Sequence, residues 1–135
     1  MLRALVIATL LFVCLGCSNL VPVQGEVTLD GQPLAGAKVM FMPQAGGRPL
    51  EGTTDTAGKF RLTTNQPNDG AAAGEYVVTV TARTIKYEAQ AGTEHGFVEK
   101  AIWQAPERYS QPSQSGLKAT VSAAKPQVKL ELQSH

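Results

Sequence analysis

The sequence predicts an all-β chain: a single antiparallel, seven-stranded β-sandwich behind a short apolar N-terminal leader. Three observations carry that expectation. Short stretches alternate apolar and polar residues with a period of two. Gly, Pro, Asp and Asn cluster between those stretches. After the leader, apolar residues do not recur at three- and four-residue spacing over the length of a helix. A period of two sends successive side chains to opposite faces of a strand, so one face of each stretch suits a core.

Taken in order, residues 21–29 place Val23, Val27 and Leu29 between Gln24, Glu26 and Thr28. Asp30-Gly31-Gln32-Pro33 is a turn signal, because Gly takes positive φ at no steric cost and Pro fixes the exit. Residues 37–42 put Val39 and Phe41 on one face and stop at Pro43, and the glycines and prolines of 44–49 make a loop before 52–56. In Asp55-Thr56-Ala57-Gly58 the carboxylate accepts backbone N–H bonds and Gly takes the left-handed position, another tight turn. Alternation resumes through Phe60 and Leu62, pauses across polar 65–74, and returns over 75–84 with Tyr76, Val78 and Val80 facing one way. The last two strands are read at 117–122 and 128–132, while Ala71 to Ala73 and Ala123-Ala124, flanked by Gly or Pro, read as loop alanines. The expected core is Val27, Leu29, Val39, Phe41, Phe60, Leu62, Tyr76, Val78, Val80, Leu117, Val121, Val128, Leu130 and Leu132.

The leader has the order of an export signal: Arg3 supplies a positive charge and residues 4–13 an apolar run. A spanning helix needs about 20 apolar residues, and this run meets Gly16, Ser18 and Asn19 well before that. Both cysteines, Cys14 and Cys17, lie here, so the rest of the chain can form no internal disulfide. Arg3 is one of 12 basic residues against 11 acidic, which leaves the chain beyond the leader neutral and argues against a polybasic nucleic-acid or anionic-lipid binder. The remaining length suits one domain.

The least regular stretch is 85–115, a long insertion carrying Lys86, Tyr87, Glu88, Glu94, His95, Phe97, Glu99, Trp103 and Tyr109. A structureless segment of this length inside a compact domain is uncommon and often functional or disordered. Trp103, the only tryptophan, is expected to close over the sandwich edge as large aromatics do. The alternative is that Tyr87, Trp103 and Tyr109 form an exposed set that stacks on a glycan or anchors an envelope protein. Glu94, His95 and Glu99 are metal-capable residue types, but a site needs three or four converging ligands. Ser110, Ser113 and Ser115 have no base nearby in sequence. Asp55 lacks the neighbouring carboxylates of a calcium cage and reads as a turn former. No catalytic residue, metal or cofactor is expected.

Two resemblances follow from these residues. Cys14-Leu15-Gly16-Cys17 resembles the lipobox of bacterial lipoproteins, in which a small residue precedes the cysteine that is diacylated and becomes the new N-terminus. The resemblance implies lipidation at Cys17, a signal peptide over 1–16, and membrane attachment through the lipid. Gly16 before Cys17 favours that residue over Cys14, which follows the bulkier Val13. Ser18 rather than Asp in the next position implies the outer membrane where a cell envelope has two.

The second resemblance covers 21–132. The stretch from Gly25-Glu26-Val27-Thr28-Leu29-Asp30-Gly31 to Gly36-Ala37-Lys38-Val39 resembles the opening of carboxypeptidase regulatory-like and transthyretin-like (Ig-like) domains, including small lipoproteins built on one such domain. Thr54-Asp55-Thr56-Ala57-Gly58-Lys59-Phe60 is similar to the turn into their next strand, and Gly74-Glu75-Tyr76-Val77-Val78-Thr79-Val80 to the strand after it. Tyr109-Ser110-Gln111-Pro112 before Ser115-Gly116-Leu117 resembles the approach to their terminal hairpin. What this implies is a non-catalytic positioning or adhesive module. A related hydrolase activity relies on strand histidines and a C-terminal Tyr-Arg-Gly-Ser, whereas this chain reads Leu132-Gln133-Ser134-His135. Isopeptide-forming relatives need a lysine in the first strand and an asparagine in the last, whereas 23–29 holds no lysine and 128–132 no asparagine. The expected organisation is a signal peptide at 1–16, a lipidated tether at 17–22 and a sandwich at 23–132. The expected role is that of a cell-envelope lipoprotein with a structural or interaction domain, its oligomeric state open.

Overall fold

The computed structural model describes residues 20–92, 94 and 96–135; the leader, Cys14, Cys17 and His95 lie outside the described residues. The described chain is all-β, with one 3-10 turn and no α-helix. The strands are β1 (Leu20–Val21), β2 (Gln24–Leu29), β3 (Gln32–Pro33), β4 (Lys38–Pro43), β5 (Leu50–Thr53) and β6 (Lys59–Arg61). They continue as β7 (Ala71–Ala72), β8 (Gly74–Thr81), β9 (Arg83–Ala89), β10 (Phe97–Trp103), β11 (Leu117–Val121) and β12 (Gln127–Leu132).

Two four-stranded sheets enclose one apolar core, the arrangement of a β-sandwich. One sheet runs β11-β8-β4-β5, all antiparallel. In the other, β2 is central, with β12 on one side and β3 and β6 on the other. An isolated bridge from Glu51 to Thr63 ties the β5 edge to the chain leaving β6. The seven-strand antiparallel expectation is corrected in two respects. β12 pairs with β2 in parallel, Gln127 opposite Gln24 through Leu132 opposite Leu29. Two further two-stranded sheets exist, β1 with β7 and β9 with β10. A parallel pair needs a crossover rather than a hairpin, and here almost the whole domain lies between its members. Strand alternation carries no record of direction.

The expected turns form as the residues require. Asp30 (φ 50) and Gly31 (φ 82) make a two-residue hairpin of positive φ, the turn whose twist matches its flanking strands. Asp55 Oδ1 accepts from the backbone N–H of Ala57 and of Lys59, each at 2.9 Å. Gly58 sits at φ 75 with Val27 O so close that a side-chain carbon there would lie 2.6 Å from it. One polar contribution to the interior was invisible in sequence: Thr54, buried, donates its hydroxyl to Leu34 O at 2.6 Å and accepts from Ala37 N at 2.8 Å. It satisfies two backbone groups where β4 begins, groups that would otherwise be stranded away from water.

The core contains the expected residues, with Leu29, Leu117 and Val128 packed against it from partly buried positions. Val23, Leu34, Leu50 and several alanines join it. Phe60 lies across the ladder from Gly25, its ring filling the space a side chain at Gly25 would take, and meets Phe41 at 6.1 Å between centroids. Phe41 in turn packs on Tyr76 at 5.7 Å. Ala71 and Ala72, expected in a loop, instead form β7 and pair with Val21 and Leu20. Residues 20–21 of the expected tether are therefore tied to the domain, next to the Gly74 end of β8.

Candidate interaction surface

The segment expected as a long insertion is mostly a β-ribbon. β9 follows β8 after the single residue Ala82, runs out past the sheet, and returns as β10 with Arg83 opposite Trp103 and Ala89 opposite Phe97. Beyond β10, Ala105 and Tyr109 re-enter the core, Tyr109 from the 3-10 turn Glu107–Ser110. The root of the ribbon is fastened by Gln104, whose N–H donates to Ala82 O at 2.9 Å and whose side-chain amide donates to Thr84 Oγ1 at 2.7 Å.

The phase of the ladder follows from its two ends. Gln90 N–H donates to Gly96 O, and Gln104 N–H to Ala82 O. Hydrogen-bonded pairs in an antiparallel ladder recur every second residue, so Thr84, Lys86 and Glu88 turn their backbone groups inward to Ile102, Lys100 and Val98. Arg83, Ile85, Tyr87 and Ala89 turn theirs outward along the open edge of β9. Directly opposed residues share a face. One face therefore carries Arg83, Ile85, Tyr87 and Ala89 with Phe97, Glu99, Ala101 and Trp103, and is largely apolar. The other carries Thr84, Lys86 and Glu88 with Val98, Lys100 and Ile102.

Every large apolar side chain found exposed among the described residues lies on this ribbon: Ile85, Tyr87, Phe97, Val98 and Ile102, with Phe97 at 71% and Tyr87 at 64%. Ile85, Tyr87 and Phe97 lie on the apolar face, and Val98 and Ile102 on the opposite one. The charged face holds a local imbalance. Lys86 and Lys100 stand directly opposite each other, and Glu88 reaches Lys100 at 3.4 Å. Lys86 is in no ion pair among the described residues.

The three aromatic candidates separate in space. Tyr87 is on the apolar face of the ribbon, near its middle. Trp103 is at the root, partly exposed and outside the core cluster, so the expected closure over the sandwich edge is not what it does. Its ring is instead covered by the Arg83 guanidinium, 5.5 Å from the ring centroid. Tyr109 is 7% exposed. Its hydroxyl accepts from Gln133 N at 3.0 Å, and Arg108 lies over its ring while donating to Gln133 O and His135 O. Tyr109 thus pins the C-terminal segment and is unavailable for stacking. Phe97, Ile85, Val98 and Ile102 were not singled out as binding residues. The alternation Ile85, Tyr87, Ala89 against Lys86, Glu88 was the signal that could have found the ribbon.

Ser110 Oγ donates to Glu107 O at 2.6 Å, and buried Ser115 accepts from Leu117 N. Asp69 accepts backbone N–H bonds from Thr64, Gln66 and Asn65, which hold its carboxyl below the usual 3.8. Among the described residues no group of three or more His, Cys, Asp or Glu converges as a metal site. Comparison with known protein families, curated proteins and solved structures found no match for this chain.

Proposed function

We propose that this chain is a cell-envelope lipoprotein, anchored by lipid on Cys17, whose sandwich is a non-catalytic scaffold and whose β9–β10 ribbon is its contact surface. The observation that carries the reading is the confinement of the large exposed apolar side chains to that ribbon. The lipobox-like Cys14-Leu15-Gly16-Cys17 supports the anchor, and the resemblance to single-domain transthyretin-like lipoproteins supports a module without chemistry of its own. The topology supports the geometry. Residue 17 lies three positions before β1, which sits beside the Gly74 end of β8, and the ribbon leaves from the Thr81 end. At roughly 3.3 Å per residue, β8 alone separates the two by about 25 Å. Residue 17 and the root of the ribbon therefore belong to opposite ends of β8.

A protein partner fits better than a glycan. Sugar recognition uses open aromatic faces, and of the three candidates Trp103 is capped by Arg83 and Tyr109 is buried. Of the three, only Tyr87 keeps a free ring, and it shares its face with apolar Ile85 and Phe97. The test is recovery from native membranes of the full chain and of a Tyr87→Ser/Phe97→Ser variant, with a Cys17→Ala control. The ribbon variant should stay lipid-labelled and folded but lose its associated protein. Cys17→Ala should lose the label and the membrane fraction. Retention of the same partner by the ribbon variant would refute the ribbon as the contact surface.

A further inference from the structure

Resting on the ribbon as contact surface, we infer that its partner is a second copy of this chain, joined edge to edge through β9 with Tyr87 on the two-fold axis. The backbone sets the options. The free edge of β9 offers the N–H and C=O groups of Arg83, Ile85, Tyr87 and Ala89, so an antiparallel copy must pair odd-numbered residues with odd-numbered ones. Charge selects among the registers this allows. Centring on Lys86 sets like charges against each other, and centring on Ile85 faces Lys86 with Thr84. Centring on Tyr87 places Lys86 opposite Glu88 of the second copy and, by symmetry, Glu88 opposite Lys86 of the second copy.

That register answers two features of the isolated ribbon. Lys86, set against Lys100 and in no ion pair among the described residues, gains a carboxylate. The outward backbone groups gain partners, Tyr87 with Tyr87 of the second copy and Ile85 with Ala89 of the second copy, in place of an open edge that natural sheets otherwise cover or blunt. On the apolar face the two Tyr87 rings meet at the axis, flanked on each side by Ile85 and Ala89 from opposite copies, with Phe97 and Ala101 beyond them. The other edge provides no equivalent. On β10, axes at Lys100 or Glu99 oppose like charges, and an axis at Ala101 faces Lys100 with Ile102 and Glu99 with Trp103. A pair joined β9 to β9 about a two-fold axis uses that edge on both copies, so this contact by itself closes at two. The balanced charge of the chain beyond the leader sets no long-range repulsion against it.

The experiment uses charge reversal in the full-length chain in detergent, with self-association read by sedimentation. Lys86→Glu alone and Glu88→Lys alone each turn two attractive cross-copy pairs into repulsive ones and should weaken association by about tenfold. An equimolar mixture of the two variants restores opposite charges at both positions, and heterodimers should recover at wild-type strength. Each single variant thus serves as the folding control for the other. In parallel, the full chain carrying photo-reactive p-benzoylphenylalanine in place of Tyr87 is irradiated in the membrane. A cross-link between the 83–89 segments of two copies supports the proposal. A cross-link to a different protein overturns the second copy while leaving the ribbon as a contact surface. No cross-link, with no partner recovered from membranes, overturns both. A mixture no stronger than its components overturns the register.

Discussion

The sandwich and the ribbon are made of the same secondary structure and differ in what their side chains meet. In β2, β4 and β8 the inward residues Val27, Val39, Phe41, Val78 and Val80 are fully enclosed. In β9 every residue is exposed, and in β10 all but Trp103. Strands in the sandwich are stabilised by the apolar area they bury together. A two-stranded ribbon has no second layer to bury against and is marginal alone. It holds here because β8 runs straight into it and because Gln104, Ala105 and Tyr109 fasten its return. Apolar residues in the first region are buried by folding, whereas those in the second are left exposed by it.

The largest expected effect separates the two regions directly. Phe60→Ala should cost about 3 to 5 kcal/mol in denaturant unfolding, because the ring is 3% exposed, packs on Phe41 and occupies the space above Gly25. A loss under about 1 kcal/mol would mean that the sandwich relaxes around the gap, and the contrast with the ribbon would weaken.

Trp103→Ala tests the boundary. The ring stands outside the core cluster and under Arg83, so its removal should cost about 1 kcal/mol, chiefly the contact with the guanidinium. A change of several kcal/mol in the melting profile would assign Trp103 to the sandwich and shorten the ribbon by its last pair. Arg83→Ala should reproduce most of the Trp103 effect if the pair acts as one.

The smallest effect concerns acid. Asp69 gathers the backbone of 64–66 with its carboxylate, and the N–H bonds from Thr64 first, then Gln66 and Asn65, depress its pKa below 3.8. A group depressed on folding contributes stability that is complete above its unfolded pKa and is lost as pH falls through the folded value. The loop 64–69 should therefore be held throughout neutral and mildly acidic conditions and loosen only below 3.8. Protection of the Thr64, Asn65 and Gln66 amides, relative to their intrinsic exchange rates, should fall there, and Asp69→Asn should show the lower protection at neutral pH as well. The amides of the ribbon should show no such step, and a shared acid transition would indicate that the two regions open together.

Much of the sandwich was legible in sequence because its strands have one wet and one dry face. Alternation at Val27, Val39, Phe60 and Tyr76 exposes that asymmetry, and Asp30-Gly31 and Asp55-Gly58 mark turns that few other residues could make. The ribbon was harder to read because β10 has apolar and charged residues on both faces: Phe97, Ala101 and Trp103 share one with Glu99, and Val98 and Ile102 share the other with Lys100. With neither face turned to a core, no clean period arises. β9 does alternate, but its apolar residues point to an uncovered face.

By itself the sequence determined the β character, the turns at Asp30-Gly31 and Asp55-Gly58, and the larger part of the core's big apolar side chains. These depend on local backbone preference and on one-sided burial, which neighbouring residues encode. Only the tertiary structure decided that β12 lies parallel to β2, that Ala71 and Ala72 pair with Val21 and Leu20, that Tyr109 is a buried pin, and that Tyr87 stands on an edge strand beside a lysine set against a second lysine. Each depends on which distant segment comes alongside, and a strand's own residues record which face is apolar without naming the neighbour on its edge.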